Sequence, residues 1–461
     1  MFSHVSFGRV TVYCAAVGAQ ELWDLSAASA AELIRAGRVT SVELVQACLG
    51  RIRETEPQVE AWIYLDPEYA LAQAKGADEW RLSGRPTGRL HGVPVGLKDI
   101  IDTADMPTEN GSVLHAGRTP SRDAAVVERL RAAGAVIMGK TVTTEFATRT
   151  AGKTRNPHNP EHTPGGSSSG SAAAVAAGMV PLSLGSQTGG STIRPGSYCG
   201  VYALKPTHGL VSRHGMFQLS RSLDHVGLFG RTIEDLALLL EEVAGYDERD
   251  PDTRPRGRGP YRTVAMEQPP IEPRFGFLRT GRWDRIAEDA QAALAEVVEH
   301  LGGRVEEFEL SASADELAEW HRVIMDAEVA VNLRREWETG RDRLSAPLRA
   351  RIEAGHAVRA PEYLAARAAA GPLIATFTEL FEQRYDAILT PAVDGTAPAG
   401  LESTGEPTFC TLWTMLGLPS VSLPLLQGAN GLPLGVQLVG PRQGDGRLLR
   451  TARWLVESVG A

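Results

Sequence analysis

TPGGSSSGSAAAVAAGMVPLSLGSQTGGSTIRPGSYCGVYALKPTHG, residues 163–209, is the stretch from which the rest of the chain is read. Gly, Ser and Ala dominate it, yet Val175, Met179, Val180, Leu182 and Leu184 punctuate it, which flexible Gly/Ser linkers do not show. Those side chains need burial, so the two small-residue loops, Gly165–Ser171 and Gly189–Ser191, must be held by a core. Small residues in a packed place let backbone come close to other backbone or to a ligand. The chemistry is expected there.

Several simple readings of the glycines fail. Gly165-x4-Gly170 is followed by Ser171-Ala172 and lacks the Lys-Ser/Thr of a phosphate-binding loop. Gly166-Ser167-Ser168-Ser169-Gly170 satisfies G-x-S-x-G, but a nucleophile elbow leaves a buried strand, and Asn159-Pro160-Glu161-His162-Thr163-Pro164 cannot be one. A neutral lysine offers another route, because an amine can take a hydroxyl proton as histidine does in a triad. Bringing a lysine from about 10.4 to near 7 requires roughly 4–5 kcal/mol, which burial can supply. Two lysines follow apolar runs, Lys98 after Val93-Pro94-Val95-Gly96-Leu97 and Lys205 in ALKPTHG. Pattern alone leaves both as candidates.

Outward from this stretch the texture is that of layered α/β structure. Ser29-x-x-Glu32 and Thr40-x-x-Glu43 read as capping boxes, Asp66-Pro67 as a cap followed by a first-turn proline, and Thr232-x-x-Asp235 as the start of an apolar helix. A helix capped near Asp123 leads to the strand-like Ala135–Met138. Residues 247–273 are polar, carry six prolines and read as a surface connection. Ala387–Pro391, Ser420–Pro424 and Leu434–Val439 look like buried strands, so one sheet fed by both halves of the chain is expected: a single domain over 21–461 with its signature core at about 91–246.

With 461 residues, 43% apolar and 22% charged, the chain can bury a sizeable core. Its formal charge of −9 shows no basic face for phosphates, so no nucleic-acid partner is expected. No stretch is long enough for a membrane helix. The four cysteines, Cys14, Cys48, Cys199 and Cys410, form no C-x-x-C pair and read as free thiols of a reducing, cytoplasmic compartment. His158 and His162 are interrupted by Asn159-Pro160-Glu161, which argues for loop, and no metal is expected. Residues 1–20 read as a disordered extension or over-long start, weighed against a secretory signal in Val10–Ala19.

PGGSSSGSAAAVAAG, LGSQTGGSTIRPGSYCGVYALKPTHG, GVPVGLKDIID and SLDHVGLFGRTIEDLALLL together resemble the amidase signature family. The resemblance implies a large central mixed β-sheet covered on both faces by helices. It implies a Ser–Ser–Lys triad, with Ser191 as nucleophile, Ser167 as bridging serine beside a cis peptide bond at Gly166–Ser167, and Lys98 as general base; Lys205 matches a non-catalytic lysine. Backbone N–H groups of Thr188, Gly189, Gly190 and Ser191 are the expected oxyanion donors. Arg194 resembles an arginine that holds a substrate carboxylate in malonamidase-like members, with a structural ion pair as the rival role. Gln187 departs from the aspartate that many members carry, and Asp224-His225 is read as structural, not as part of a second triad.

The implied activity is hydrolysis of a small-molecule amide through an acyl-enzyme on Ser191, without metal or organic cofactor. The alternative is the glutamine-hydrolysing component of a tRNA-dependent amidotransferase. A small amide is expected as partner, with room for a homodimer and none for nucleic acid or membrane. Specificity is expected from residues 102–150, the region around Trp320–Trp337, and residues 396–416, and Trp320, Trp337 and Trp413 are weighed as pocket walls against core.

Overall fold

The computed structural model describes residues 21–279, 282–310 and 312–460. The extension expected over residues 1–20, with its signal-like run and Cys14, lies outside the described residues. Among them the strands are β1 (Trp62–Leu65), β2 (Pro94–Lys98), β3 (Val136–Thr141), β4 (Leu182–Gln187), β5 (Tyr202–Lys205), β6 (His225–Gly230), β7 (Phe275–Leu278), β8 (Val305–Phe308), β9 (Ala387–Pro391), β10 (Ser420–Gln427) and β11 (Pro433–Val439). They form one mixed sheet of eleven strands in the order β1-β3-β2-β4-β6-β5-β10-β11-β9-β7-β8, covered on both faces by helices.

The two halves of the chain meet where β5 pairs antiparallel with β10, Lys205 opposite Ser420. The strands β3, β2 and β4 are parallel, as are β9, β7 and β8. Every residue of β2, β3 and β4 is buried, which matches their near-continuous apolar runs, because a parallel sheet is covered on both sides. Lys98 and Gln187 close two of these parallel strands, and the ends of such strands are where an α/β sheet offers a ligand site.

Local signals explain most helix starts. Thr40 and Glu43 form the expected capping box, Asp66 accepts from the Tyr69 N–H, and Thr232 accepts from the Asp235 N–H. The first helix differs: it runs Ala27–Arg35 with Ser26 as its cap, so Ser29 lies inside it and accepts no capping bond there. Asp123 does not cap the helix Ala125–Ala132; it accepts from the Ala104 N–H and pairs with Arg131 at 2.8 Å. The polar connection 247–273 contains a short helix, Tyr261–Met266, and its Asp250 and Asp252 grip Arg213 at 2.9 and 2.5 Å.

Residues 163–209 fold as loop, helix (Ser169–Ala176), β4, loop, helix (Ile193–Tyr198) and β5, almost wholly buried. The second loop lies so close to β6 that a Cβ at Gly227 would sit 2.0 Å from Thr192 Oγ1. A glycine is required there for the turn after β4 to settle on the sheet.

Candidate active site

Serines crowd this stretch, and their partners separate them. Ser168 Oγ donates to the Ser186 carbonyl and accepts from the Ser186 N–H, both at 3.1 Å. Ser169 donates to the Gly165 carbonyl and Ser171 to that of Leu184. These three are committed to backbone. Ser167 instead stands 2.7 Å from Lys98 Nζ, in a segment entered through a cis peptide bond at Gly166–Ser167. Ser191 lies in the loop after β4 and lines a cavity of about 240 Å³. Lys98 and Ser167 are thus brought together; Ser191 stands in the adjoining loop, and no hydrogen bond joins Ser167 Oγ to Ser191 Oγ among the described residues.

Lys98 also reaches Ser186 Oγ at 2.8 Å, a contact that the sequence did not reveal. Both of its neighbours are hydroxyls, and it makes no ion pair among the described residues. Burial therefore holds the amine well below the ordinary lysine value, with the Asp224 carboxylate pulling it up and the Arg194 guanidinium pushing it down. A neutral amine can donate one proton to Ser186 and accept one from Ser167. Lys205 is buried too, and burial lowers it to about 7, but its Nζ bonds the Leu418 carbonyl instead of a serine. A third buried lysine, Lys140, bonds the Ile101 carbonyl and Thr108 Oγ1 beside Asp99.

Around the second loop, Thr188 Oγ1 donates to Asp224 at 2.6 Å, and Asp224 also accepts from the N–H groups of Leu219 and Ser220. Burial raises this carboxyl to about 6. His225 bonds the Leu223 carbonyl and meets no serine, so Asp224-His225 assembles no second triad. Gln187 accepts from the N–H groups of Thr192 and Ile193, turning the chain from β4 into the next helix. The N–H groups of Gly189, Gly190 and Ser191 have no protein acceptor among the described residues.

Arg194 makes no ion pair among the described residues, which removes the rival role weighed for it. Its Nη2 donates to the Gly166 carbonyl at 2.6 Å and to Thr404 Oγ1 at 3.3 Å. Its buried Nε and Nη1 have no partner, although the residue lines the cavity. Arg149, Arg282, Arg285, Arg322 and Arg351 line the same cavity, and the one acid among the lining residues, Glu406, is paired with Arg149 at 3.0 Å. Residues 147–149, the helix Ala314–Asn332 and residues 404–411 contribute walls as expected; Arg282, Arg285 and Arg351 were not foreseen. None of the three weighed tryptophans lines it, and Trp413 packs edge-on against Phe377 in the core. A larger cavity of about 960 Å³ lies on the other side of the helix Ala314–Asn332, floored by Ile324 and Met415 and holding neither the catalytic serines nor a lysine.

His158 and His162 bond the carbonyls of Cys199 and Ala397 respectively. Cys48, Cys199 and Cys410 are buried thiols. No described helix is long and apolar enough to cross a membrane.

Comparison with known proteins adds two findings. The chain is 37% identical over 93% of its length to the amidase-type component of glutamyl-tRNA(Gln) amidotransferase from Chloroflexus aurantiacus, covering 96% of that protein. It is 35% identical over 92% of its length to the component of the same name from Rhodopirellula baltica, covering 94% of it. Among solved structures it resembles native peptide amidase from Stenotrophomonas maltophilia, with a TM-score of 0.81, 30% identity and coverage of 94% and 96% of the two chains. These relatives correct the expectation of a small-molecule amide as partner with no nucleic acid, because full-length relatives are named for an enzyme of glutamyl-tRNA. Net charge misled for a physical reason: one component of an assembly can serve a tRNA-dependent reaction while phosphate contacts are made elsewhere. The Amidase family model matches residues 43–449. With its sheet, its serine–lysine pair and this match over most of its length, the chain belongs to the Amidase family.

Proposed function

We propose that this chain is the amide-hydrolysing component of a tRNA-dependent amidotransferase, and that it cleaves glutamine through an acyl-enzyme on Ser191. The observation that carries the chemistry is the buried Lys98 amine, without an ion-pair partner among the described residues and 2.7 Å from Ser167 Oγ. The relatives at 35–37% identity support the assembly.

In this reading neutral Lys98 takes the Ser167 proton as Ser167 takes that of Ser191, and Ser191 Oγ attacks the carboxamide carbon. The carbonyl oxygen becomes an oxyanion facing the N–H groups of Gly189, Gly190 and Ser191. As the C–N bond breaks, the proton returns through Ser167 to the leaving nitrogen, and ammonia departs. Water then attacks the acyl-serine by the same proton route in reverse, releasing glutamate and restoring Ser191. Arg194, with Nε and Nη1 unpartnered, takes the substrate's α-carboxylate.

The test is ammonia release from glutamine by the chain alone and in the presence of partner chains and glutamyl-tRNA. Turnover that depends on the assembly is expected. Efficient hydrolysis of linear amides by the lone chain, without response to partners or tRNA, would establish the free-standing amidase that the peptide amidase likeness supports and overturn the assembly.

A further inference from the structure

Three successive carbonyls in the loop after β4 are each held from behind. His321 Nε2, on the helix Ala314–Asn332, bonds the Thr188 carbonyl at 2.9 Å. Thr414 Oγ1, on the short helix Thr411–Met415, donates to the Gly189 carbonyl at 2.7 Å. The Arg194 N–H donates to the Gly190 carbonyl at 2.9 Å. A trans peptide is planar, with C=O and N–H pointing opposite ways. Holding those carbonyls therefore turns the N–H groups of Gly189, Gly190 and Ser191 the other way, and these are the three that find no protein acceptor among the described residues.

The Arg194 bond comes from backbone that any residue supplies at the start of a helix. The other two come from side chains more than 130 and 220 residues away in sequence. Resting on the acyl-enzyme reading above, we infer that His321 and Thr414 are positioning residues that aim the oxyanion donors of Gly189 and Gly190, and that Gln187 fixes the direction of the Thr414 hydroxyl.

The role of Gln187 follows from proton counting. Its Oε1 is used by Thr192 and Ile193, and its Nε2 donates to Thr414 Oγ1 at 3.0 Å. Thr414 has one hydroxyl proton and two acceptors in reach, the Gly189 carbonyl at 2.7 Å and its own helix's Cys410 carbonyl at 3.0 Å. With Gln187 donating to the oxygen, that proton must point outward from it, and the shorter bond is the one to Gly189. An aspartate at position 187 has no proton to donate when ionised, so this relay is specific to the glutamine. His321 is buried and burial lowers it to about 4, which keeps the ring neutral and makes Nε2 the protonated nitrogen facing the Thr188 carbonyl. The loop has little freedom to reach these partners otherwise: a Cβ on Gly190 would stand 3.0 Å from Pro407 Cβ and 3.2 Å from Cys410 Cβ.

The probe is p-nitrophenyl acetate, whose burst of p-nitrophenolate reports acylation of Ser191 without partner chains. Thr414→Val and His321→Phe are expected to slow acylation roughly tenfold to hundredfold, somewhat less than the loss of a direct oxyanion donor, with KM within about twofold. Thr414→Ser, which keeps the hydroxyl, restores most of the rate. The affinity for phenylboronic acid, which places an anionic oxygen in the same hole, falls by the same factor as the acylation rate. Should Thr414→Val fail to fold, His321→Phe and Thr414→Ser carry the comparison. Wild-type acylation rates in Thr414→Val and His321→Phe, or an equal loss in Thr414→Ser, would overturn the positioning role. If the wild-type burst is unchanged by Ser191→Ala, the acyl-enzyme reading itself fails, which is a distinct result.

Discussion

The floor of the catalytic cavity and its walls are built by opposite rules. The floor comes from segments near one another in sequence and on adjacent strands: Lys98 at the end of β2, Ser186 at the end of β4, Ser167 before one helix and Ser191 before the next. It is buried and held by short bonds to backbone, and its lysine is neutralised by its surroundings. The walls come from residues 147–149, 282–285, 318–325, 351 and 404–411, are rich in arginine and are partly open to solvent. The floor is rigid because a proton relay tolerates little displacement, whereas the walls need only supply charge and shape. Changes in the floor should therefore act on kcat, and changes in the walls on KM.

The largest expected effect is on the floor. Ser191→Ala should reduce turnover by roughly four orders of magnitude or more, and Lys98→Met and Ser167→Ala by about two to four, with KM little changed. A Lys98→Met loss confined to KM would break the comparison. Next, Ser168→Ala leaves the Ser186 N–H and carbonyl without their side-chain partner; a stability loss of about 1–3 kcal/mol by denaturant titration is expected, with a fall in kcat as Ser186 shifts from Lys98. An unchanged stability would show that this clamp contributes nothing to holding the floor.

The pH profile sharpens the same contrast. Lys98 works as a base only when neutral, so activity should rise with pH through its titration. Asp224 favours the charged amine and Arg194 disfavours it. Asp224→Asn should therefore move the acid limb of kcat to lower pH, and Arg194→Met should move it to higher pH, whatever each does to the maximal rate. Shifts in the same direction would contradict the placement of these charges around Lys98. The smallest effect is expected at the rim: Arg285, exposed and without an ion-pair partner among the described residues, should on replacement by Ala raise KM by at most a few fold, and less at high salt.

This division also explains what could be read from the chain. The floor was legible because its requirements are local: an apolar run ending in Lys98, glycines at Gly189 and Gly190, and a serine loop that no buried strand could precede. The parallel strands were legible as apolar runs for the same reason. Ser186 was hidden because it reads as one more small residue of a strand, and its role exists only once β4 lies beside β2. The arginine walls were hidden more deeply. Arg282, Arg285 and Arg351 sit in polar, helix-forming segments where arginine is ordinary on a surface, and nothing local marks them as facing a cavity. His321 and Thr414 carry no signal either, because what they hold is backbone, and any donor of the right reach would serve. The first helix start was misplaced because Ser26 and Ser29 are both competent caps, and packing of buried Ala27 and Ala28 decides between them.

The most direct test of the account is rapid quenching of the protein during turnover of an amide or ester, followed by mass mapping of the acyl adduct. The account predicts an adduct on the peptide carrying Ser191, absent in Ser191→Ala and formed more slowly in Lys98→Met. An adduct on Ser167 or Ser168, or turnover with no serine adduct at all, would contradict it.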